Sequence, residues 1–376
     1  MVPTVRSIPA DEHRAFIAAQ PWASFLQTPA WAAVKSEWRG ESLGWYDGEK
    51  LVGAGLVLYR RLPRLARYLA YLPEGPVLDW GADDLGDWLA PMADHLRRQG
   101  AFGIRMGPPV VTRRWTADRV KAGIADESVH SLAELSPAAR SAAGARVVQQ
   151  LEVLGWRRQV AEGGFAAGQP QYTFVIPLVA DDGTRRTDDD VLAGMNQLWR
   201  RNIRKAEKAG VVVTTGTRED LQAFHDLYVH TAGRDHFTPR PLAYFRAMYD
   251  ALGSEDAGRI TLWLAHHEAD LVAATIAIRV GRHAWYSYGA SSTDKRDVRG
   301  SNAVQWAMIR DAIAHGADVY DLRGITDTLD ADDDHVGLIQ FKAGTGGEAV
   351  ETVGEWDLPL NRGLYKGFEL YLRWRS

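Results

Sequence analysis

Not one of the 376 residues is cysteine, which excludes disulfides, thiolate nucleophiles and cysteine-ligated zinc or iron–sulfur sites while leaving the compartment open. Long apolar runs are missing too. The longest clear one, Leu51 to Tyr59, falls far short of the roughly 20 residues that a membrane-spanning helix needs. Met1 to Pro9 lacks the apolar stretch of a signal peptide. There is no excess of positive charge: 44 Lys and Arg against 48 Asp and Glu give a formal net charge of -4, so no global field draws nucleic acid and any such partner must meet a local patch. Heptads sustained enough for a coiled-coil arm are absent, as are low-complexity tracts. The expectation is a cytoplasmic protein with at most peripheral contact at the inner face of a membrane, and with no DNA partner.

What is present is enough apolar sequence, 46%, for two cores of ordinary domain size. An internal repeat organises it. Gly44-Trp45-Tyr46 passes the turn Asp47-Gly48 into Leu51 to Leu58, and Ile260 to Ala265 passes a polar turn into Leu271 to Ile278 and a further strand, His283 to Tyr288. Both read as β-hairpins. Each is followed by an amphipathic helix, through Leu85, Trp88, Leu89, Met92 and Leu96 in the first half and Val304, Met308, Ala312 and Ile313 in the second. Each helix stops at Gly-Ala, Gly100-Ala101 and Gly316-Ala317, ahead of an apolar strand, Phe102 to Met106 and Val319 to Leu322. The pattern predicts two copies of one mixed α/β lobe, residues 1–150 and 151–354, with a tail over 355–376 packed on the first. Two more helices are expected between them, Ala145 to Leu154 and Val191 to Ala209, and a solvated loop over Asp181 to Asp190.

Several motifs have more than one meaning. Arg296-Asp297-Val298-Arg299-Gly300-Ser301-Asn302 offers either a phosphate-binding turn ahead of a helix, as in many acyl-CoA-dependent N-acetyltransferases, or a plain N-cap by Ser301 or Asn302. The basic run Arg200, Arg201, Arg204, Lys205 and Lys208 meets an RNA backbone or is solvated surface. Asp327 to Asp334 fails as a calcium loop: read from Asp330, the required Gly falls on His335 and the bidentate Glu on Phe341. His266-His267-Glu268 lacks the second His of a zinc-protease motif, so no metal site and no cofactor are expected. In Gly337 to Glu348, Lys342 follows Phe341 and precedes Gly344, Gly346 and Gly347. Such a lysine is either aimed into a channel or exposed at a strand end.

Taken in order, Phe25-Leu26-Gln27-Thr28-Pro29-Ala30-Trp31 with Lys35, Tyr71-Leu72-Pro73-Glu74-Gly75-Pro76, Arg201 to Ala206 before Gly210, Thr231 to Phe237, Tyr286 to Ser292 and Phe341-Lys342 resemble the FemABX family of peptide-bridge aminoacyltransferases. The resemblance implies two tandem GNAT-like acetyltransferase lobes of mixed sheet flanked by helices, an aminoacyl-tRNA donor, and a peptidoglycan precursor, UDP-linked or lipid-linked, as acceptor. It implies that Lys35 and Arg234 hold the precursor diphosphate and that Tyr288 and Tyr286 contact the precursor, with Trp31, Tyr71 and Asn302 as further substrate contacts. Arg201, Arg204 and Lys205 are the implied tRNA contacts. Phe341 and Lys342 would line the channel for the aminoacyl end, with Lys342 stabilising charge at the ester. Two positions depart from the family. Gly107 stands before Pro108 where an acidic residue is common, and Thr345 stands where an aromatic is usual. Alternatives are aminoacylation of a peptide metabolite, acyl transfer from acyl-CoA, and a binding protein without catalysis. At the C-terminus, Lys366, Arg373, Trp374 and Arg375 are expected either at an anionic membrane or on a helix packed against the first lobe.

Overall fold

The computed structural model describes residues 2–63, 65–159, 168–333 and 335–375, with side chains through residue 370. The chain forms two compact units, one of residues 1–113, 139–171 and 351–376, the other of residues 114–138 and 172–350.

In the first unit, seven strands lie in the order Thr4–Ser7, Arg39–Asp47, Lys50–Arg61, Tyr68–Leu72, Ala101–Met106, Trp356–Pro359, Arg157–Arg158. The expected hairpin pairs Asp47 with Lys50 across a turn in which Gly48 takes φ +60°, a conformation that glycine adopts without strain. Tyr68–Leu72 and Ala101–Met106 run parallel, which requires a crossover. Helix Gly86–Arg98 supplies it and buries Leu89, Met92 and Leu96 with Trp45, Tyr59 and Trp356. The core is aromatic, and two of its tryptophans pair their N–H groups with backbone: Trp45 Nε1 donates to the Trp88 carbonyl at 2.9 Å and Trp356 Nε1 to the Val353 carbonyl at 3.0 Å.

The second unit repeats the plan. Val212–Gly216, Ile260–His267, Asp270–Val280, His283–Ser291, Val319–Ile325 and Tyr172–Pro177 are neighbours in that order. His283–Ser291 and Val319–Ile325 run parallel, joined through helix Gly300–Ala314, which buries Val304, Met308 and Ala312. Gly100 and Gly316 both have positive φ, +86° and +71°, as expected of the residue that ends a helix.

Four expectations need correction. A single boundary at residue 150 does not describe the units. Residues 114–138 belong to the second, where Trp115, Val120 and Leu132 enter its core, and Val147, Leu151 and Trp156 are buried in the first. The returning C-terminal segment starts at residue 351 rather than 355. The helix expected over Val191 to Ala209 is two, Asp188–Gly194 and Gln197–Lys208. They are separated because Asn196 has extended backbone and accepts the Trp199 N–H at 2.9 Å, which starts a helix anew. The same capping logic corrects the acidic loop: Thr187 and Asp190 form a capping box, so Asp188 to Asp190 are the first turn of a helix.

Helix Arg362–Arg375 belongs to the first unit, where Tyr365 and Phe368 cluster with Leu69 and Phe102. Lys366 is exposed, while the side chains of Arg373, Trp374 and Arg375 lie outside the described ones. No helix among the described residues is long and apolar enough to cross a membrane.

Candidate functional site

Lys342 is 3% exposed and sits in the last turn of helix Val336–Ala343, so this segment is neither a strand end nor an exposed lysine. A buried ammonium needs acceptors, and it finds them in the backbone: Nζ donates to the Gly324 carbonyl at 2.7 Å and the Arg323 carbonyl at 3.3 Å. Those carbonyls are turned out of the sheet by a bulge. Between Asp321 and Gly324 the pairing with Tyr172–Pro177 slips, and Arg323 takes φ +63°, a left-handed conformation that is uncommon for a residue with a side chain. Asp321, also buried, holds the bulge by accepting the Arg323 N–H at 2.6 Å, and its other oxygen lies 3.3 Å from His283 Nε2.

These surroundings set the charge. Burial pushes Lys342 down to about 7, against the pull of the Asp321 carboxylate and with the help of Arg323. Burial also pushes Asp321 up, but the His283 hydrogen bond and charge prevail and hold its carboxyl below the ordinary value.

Phe341 packs 4.8 Å from Trp199, ring to ring, and its carbonyl accepts Trp199 Nε1–H at 2.8 Å. Gly344 is needed here, because a Cβ would stand 2.3 Å from the Trp199 ring. Thr345, which departs from the family's usual aromatic, is buried and donates to the Lys342 carbonyl at 2.6 Å. It closes the helix end instead of forming a wall. Trp199, Phe341 and the buried Asn302 line a cavity of about 380 Å³. Neither Ser301 nor Asn302 is the N-cap of the helix there; Arg299 is, at φ +63°.

Also in the second unit, the Arg234 guanidinium grips Asp235 through Nε and Nη2 at 2.7 and 2.9 Å and donates to the Ser291 carbonyl at 3.0 Å. Tyr288 stands in an aromatic cluster with Tyr228, Tyr244 and Phe245, its hydroxyl 3.1 Å from that of Tyr244. A register slip pairs Tyr288 with Ile276 and Tyr286 with Ala277, so the two tyrosines leave the common face that their spacing would give. Burial pushes Tyr286 up to about 12. Arg201, Arg204 and Lys205 are exposed on helix Gln197–Lys208, whose other face buries Trp199, Ile203 and Ala206.

The first unit holds Trp31, Lys35 and Tyr71. Gln27 explains why two of the sequence motifs belong together: its amide donates to the Pro73 carbonyl at 2.7 Å and its oxygen accepts the Leu56 N–H at 2.9 Å. Trp31 is buried edge-on against Phe25, and Lys35 ends its helix with Nζ 6.0 Å from the Trp31 ring, at the reach of a cation–π contact. Tyr71 donates to Glu355 Oε1 at 2.6 Å. Glu355 is buried, which pushes its carboxyl up despite that hydrogen bond. A Cβ on Gly107 would lie 3.8 Å from the same Oε1, so a carboxylate borders the position where the family commonly has one. No motif marks Glu355, Asp321 or His283 in the sequence, because their partners are remote along the chain. Among the described residues, no three His, Asp or Glu gather as metal ligands.

The sequence model of the FemAB family matches residues 8–266 and 261–372. Curated relatives include the lipid II:glycine glycyltransferases of Staphylococcus saprophyticus and Staphylococcus aureus. Each is 24% identical over 96% of this chain and 94% or 93% of its own. Among solved structures, FemX matches with a TM-score of 0.79 at 23% identity, covering 96% of this chain and 98% of that one. A tandem GNAT protein from the clavulanic acid biosynthesis pathway matches with a TM-score of 0.50 at 15% identity, over 95% of this chain and 98% of its own. The fold is that of two tandem GNAT-like units of mixed sheet and helix.

Proposed function

The chain belongs to the FemAB family and is an aminoacyltransferase, and from that premise we propose that it moves an amino acid from aminoacyl-tRNA to an amine of a peptidoglycan precursor stem peptide, building a cross-bridge. The names of the curated relatives favour a lipid-linked precursor as acceptor. The observation that carries the proposal is the Lys342 ammonium, buried on two backbone carbonyls beside Phe341.

In the proposed reaction the precursor amine attacks the ester carbonyl, the carbon becomes tetrahedral, and the ribose hydroxyl leaves as the new peptide bond forms. Negative charge grows on the carbonyl oxygen, and Lys342 supplies the fixed donor that stabilises it. The amine must also lose a proton. Lys35 and Arg234 serve as holders of the precursor's diphosphate, a task for charge-assisted hydrogen bonds, and Tyr288 as a precursor contact. Trp31, which packs beside Lys35, serves with Tyr71 and Asn302 as a further substrate contact.

Purified protein incubated with a precursor pentapeptide and either charged tRNA or acetyl-CoA, followed by weighing the product, tests this. An aminoacyl mass gain with charged tRNA alone is expected. A gain with acetyl-CoA alone assigns acyl-CoA chemistry, and no gain with either assigns a binding role.

A further inference from the structure

Two buried titratable groups of the second unit have no part in the transfer chemistry above: Asp321 and His283. His283 stacks on Trp285, ring centroids 4.1 Å apart, and its Nε2 lies 3.3 Å from Asp321 Oδ2. The other oxygen, Oδ1, accepts the Arg323 N–H at 2.6 Å. One peptide segment thus joins two buried groups: the Arg323 N–H is held by Asp321, and the Arg323 and Gly324 carbonyls receive Lys342 Nζ. A left-handed residue with a side chain persists only where its surroundings hold it, and at Arg323, with φ +63°, the Asp321 carboxylate supplies that hold.

Charge around the lysine is sparse. Strand Val319–Ile325 and the two strands paired with it, His283–Ser291 and Tyr172–Pro177, contain one carboxylate, Asp321; their other charged or titratable groups are His283, Arg323 and the phenols Tyr172, Tyr286, Tyr288 and Tyr320. Helix Val336–Ala343 carries no acid. On helix Ala117–Ile124, which packs against it, Asp118 is exposed and bonds Lys121 at 3.1 Å, and Arg119 donates to the Ser136 carbonyl at 3.1 Å. Helix Gln197–Lys208 meets Phe341 through Trp199; its Arg200 donates to the Ala193 carbonyl at 2.8 Å, and its remaining charged residues are exposed. Of the groups around Lys342, Asp321 favours the ammonium and Arg323 opposes it.

We propose that Asp321 is the positioning residue for Lys342: through the Arg323 N–H it fixes the two carbonyls under the ammonium, and its carboxylate, braced by His283, is the buried countercharge that the Arg323 guanidinium opposes. Asp321 acts only through Lys342, so the assignment rests on the role given to that lysine in the transfer reading above.

Side-chain NMR of the full-length protein carrying isotope-labelled lysine tests it. The chain has eight lysines, and the Lys342 signal is the one that Lys342→Met removes. Asp321→Asn keeps an oxygen for the Arg323 N–H and loses the charge, so the Lys342 titration midpoint is expected about one pH unit or more lower than in the unmodified protein. Starting from about 7, a drop of about one unit cuts the protonated share at pH 7 from about half to about a tenth. Single-turnover transfer at pH 7 should then slow about fivefold, its high-pH fall should move to lower pH by the same amount, and the KM for precursor should hold. Arg323→Gly takes the positive φ without strain and leaves both carbonyls in place, so its Lys342 midpoint should move up. That opposite shift is a second reading where melting temperatures show Asp321→Asn to be unfolded. A merely structural role would slow transfer alike at every pH and leave the midpoint in place. An unmoved Lys342 midpoint in folded Asp321→Asn, or in folded Arg323→Gly, overturns the assignment and leaves the transfer reading standing. Transfer by Lys342→Met at the unmodified rate overturns the transfer reading, and the assignment with it.

Discussion

At the scale of single residues, Lys342 links reactivity to stability. Its proton is lost near pH 7 in the folded state, so a role as cation requires the single-turnover rate to fall about tenfold per pH unit above 7; a rate that rises there instead identifies the neutral amine as a base. Stability runs the other way. An unfolded lysine keeps its proton to about 10.5, so between about 7 and 10.5 the unfolded chain binds more protons and stability rises with pH. Lys342→Met should therefore slow transfer a few hundred-fold, about 3 kcal/mol, yet melt at the same or a higher temperature at pH 7. Arg234 makes a different case. Its planar fork spans Asp235 and Ser291, which a lysine cannot do, so Arg234→Lys should raise the KM for precursor about 10- to 100-fold with kcat held, as measured by steady-state kinetics. The pairing of Phe341 with Lys342 was visible in the sequence. The lysine's burial was not, because its acceptors come from a bulge 18 and 19 residues away, and a bulge leaves no mark on hydrophobic periodicity.

Among secondary-structure elements, the hairpins, crossover helices and glycine stops were legible in both halves, since each is written in local period and local turn chemistry. The break at Asn196 was not. Val191 to Ala209 reads as one helix in the sequence, and only the capping geometry divides it between Asp188–Gly194 and Gln197–Lys208. That cap is worth testing: Asn196→Ala should destabilise the second unit by about 1 kcal/mol, seen as a lower urea midpoint, and should leave the first unit's hydrogen-exchange protection intact. The tyrosine pair shows the same limit. Spacing places Tyr286 and Tyr288 on one face, and the register slip opposite Ile276 and Ala277 is a property of two strands together.

Over the whole molecule, a repeat read from sequence suggests lobes that follow one another, but the units interleave. Core strand Trp356–Pro359 pairs with Ala101–Met106 on one side and Arg157–Arg158 on the other, and Trp356 is buried in the first unit's core. Long-range pairing of this kind has no local signature. Deleting residues 351–376 should therefore unfold the first unit rather than trim it, with hydrogen exchange of residues 39–106 becoming fast while residues 260–325 stay protected.

The same strand also sets an order in time. While the chain is being made, Ala101–Met106 leaves the ribosome long before Trp356, and at about 5–20 residues per second it waits tens of seconds with its edge unpaired. Residues 172–350 are complete before that strand arrives. The unit begun first is thus finished last, and during synthesis its open edge is where a chaperone has most to protect.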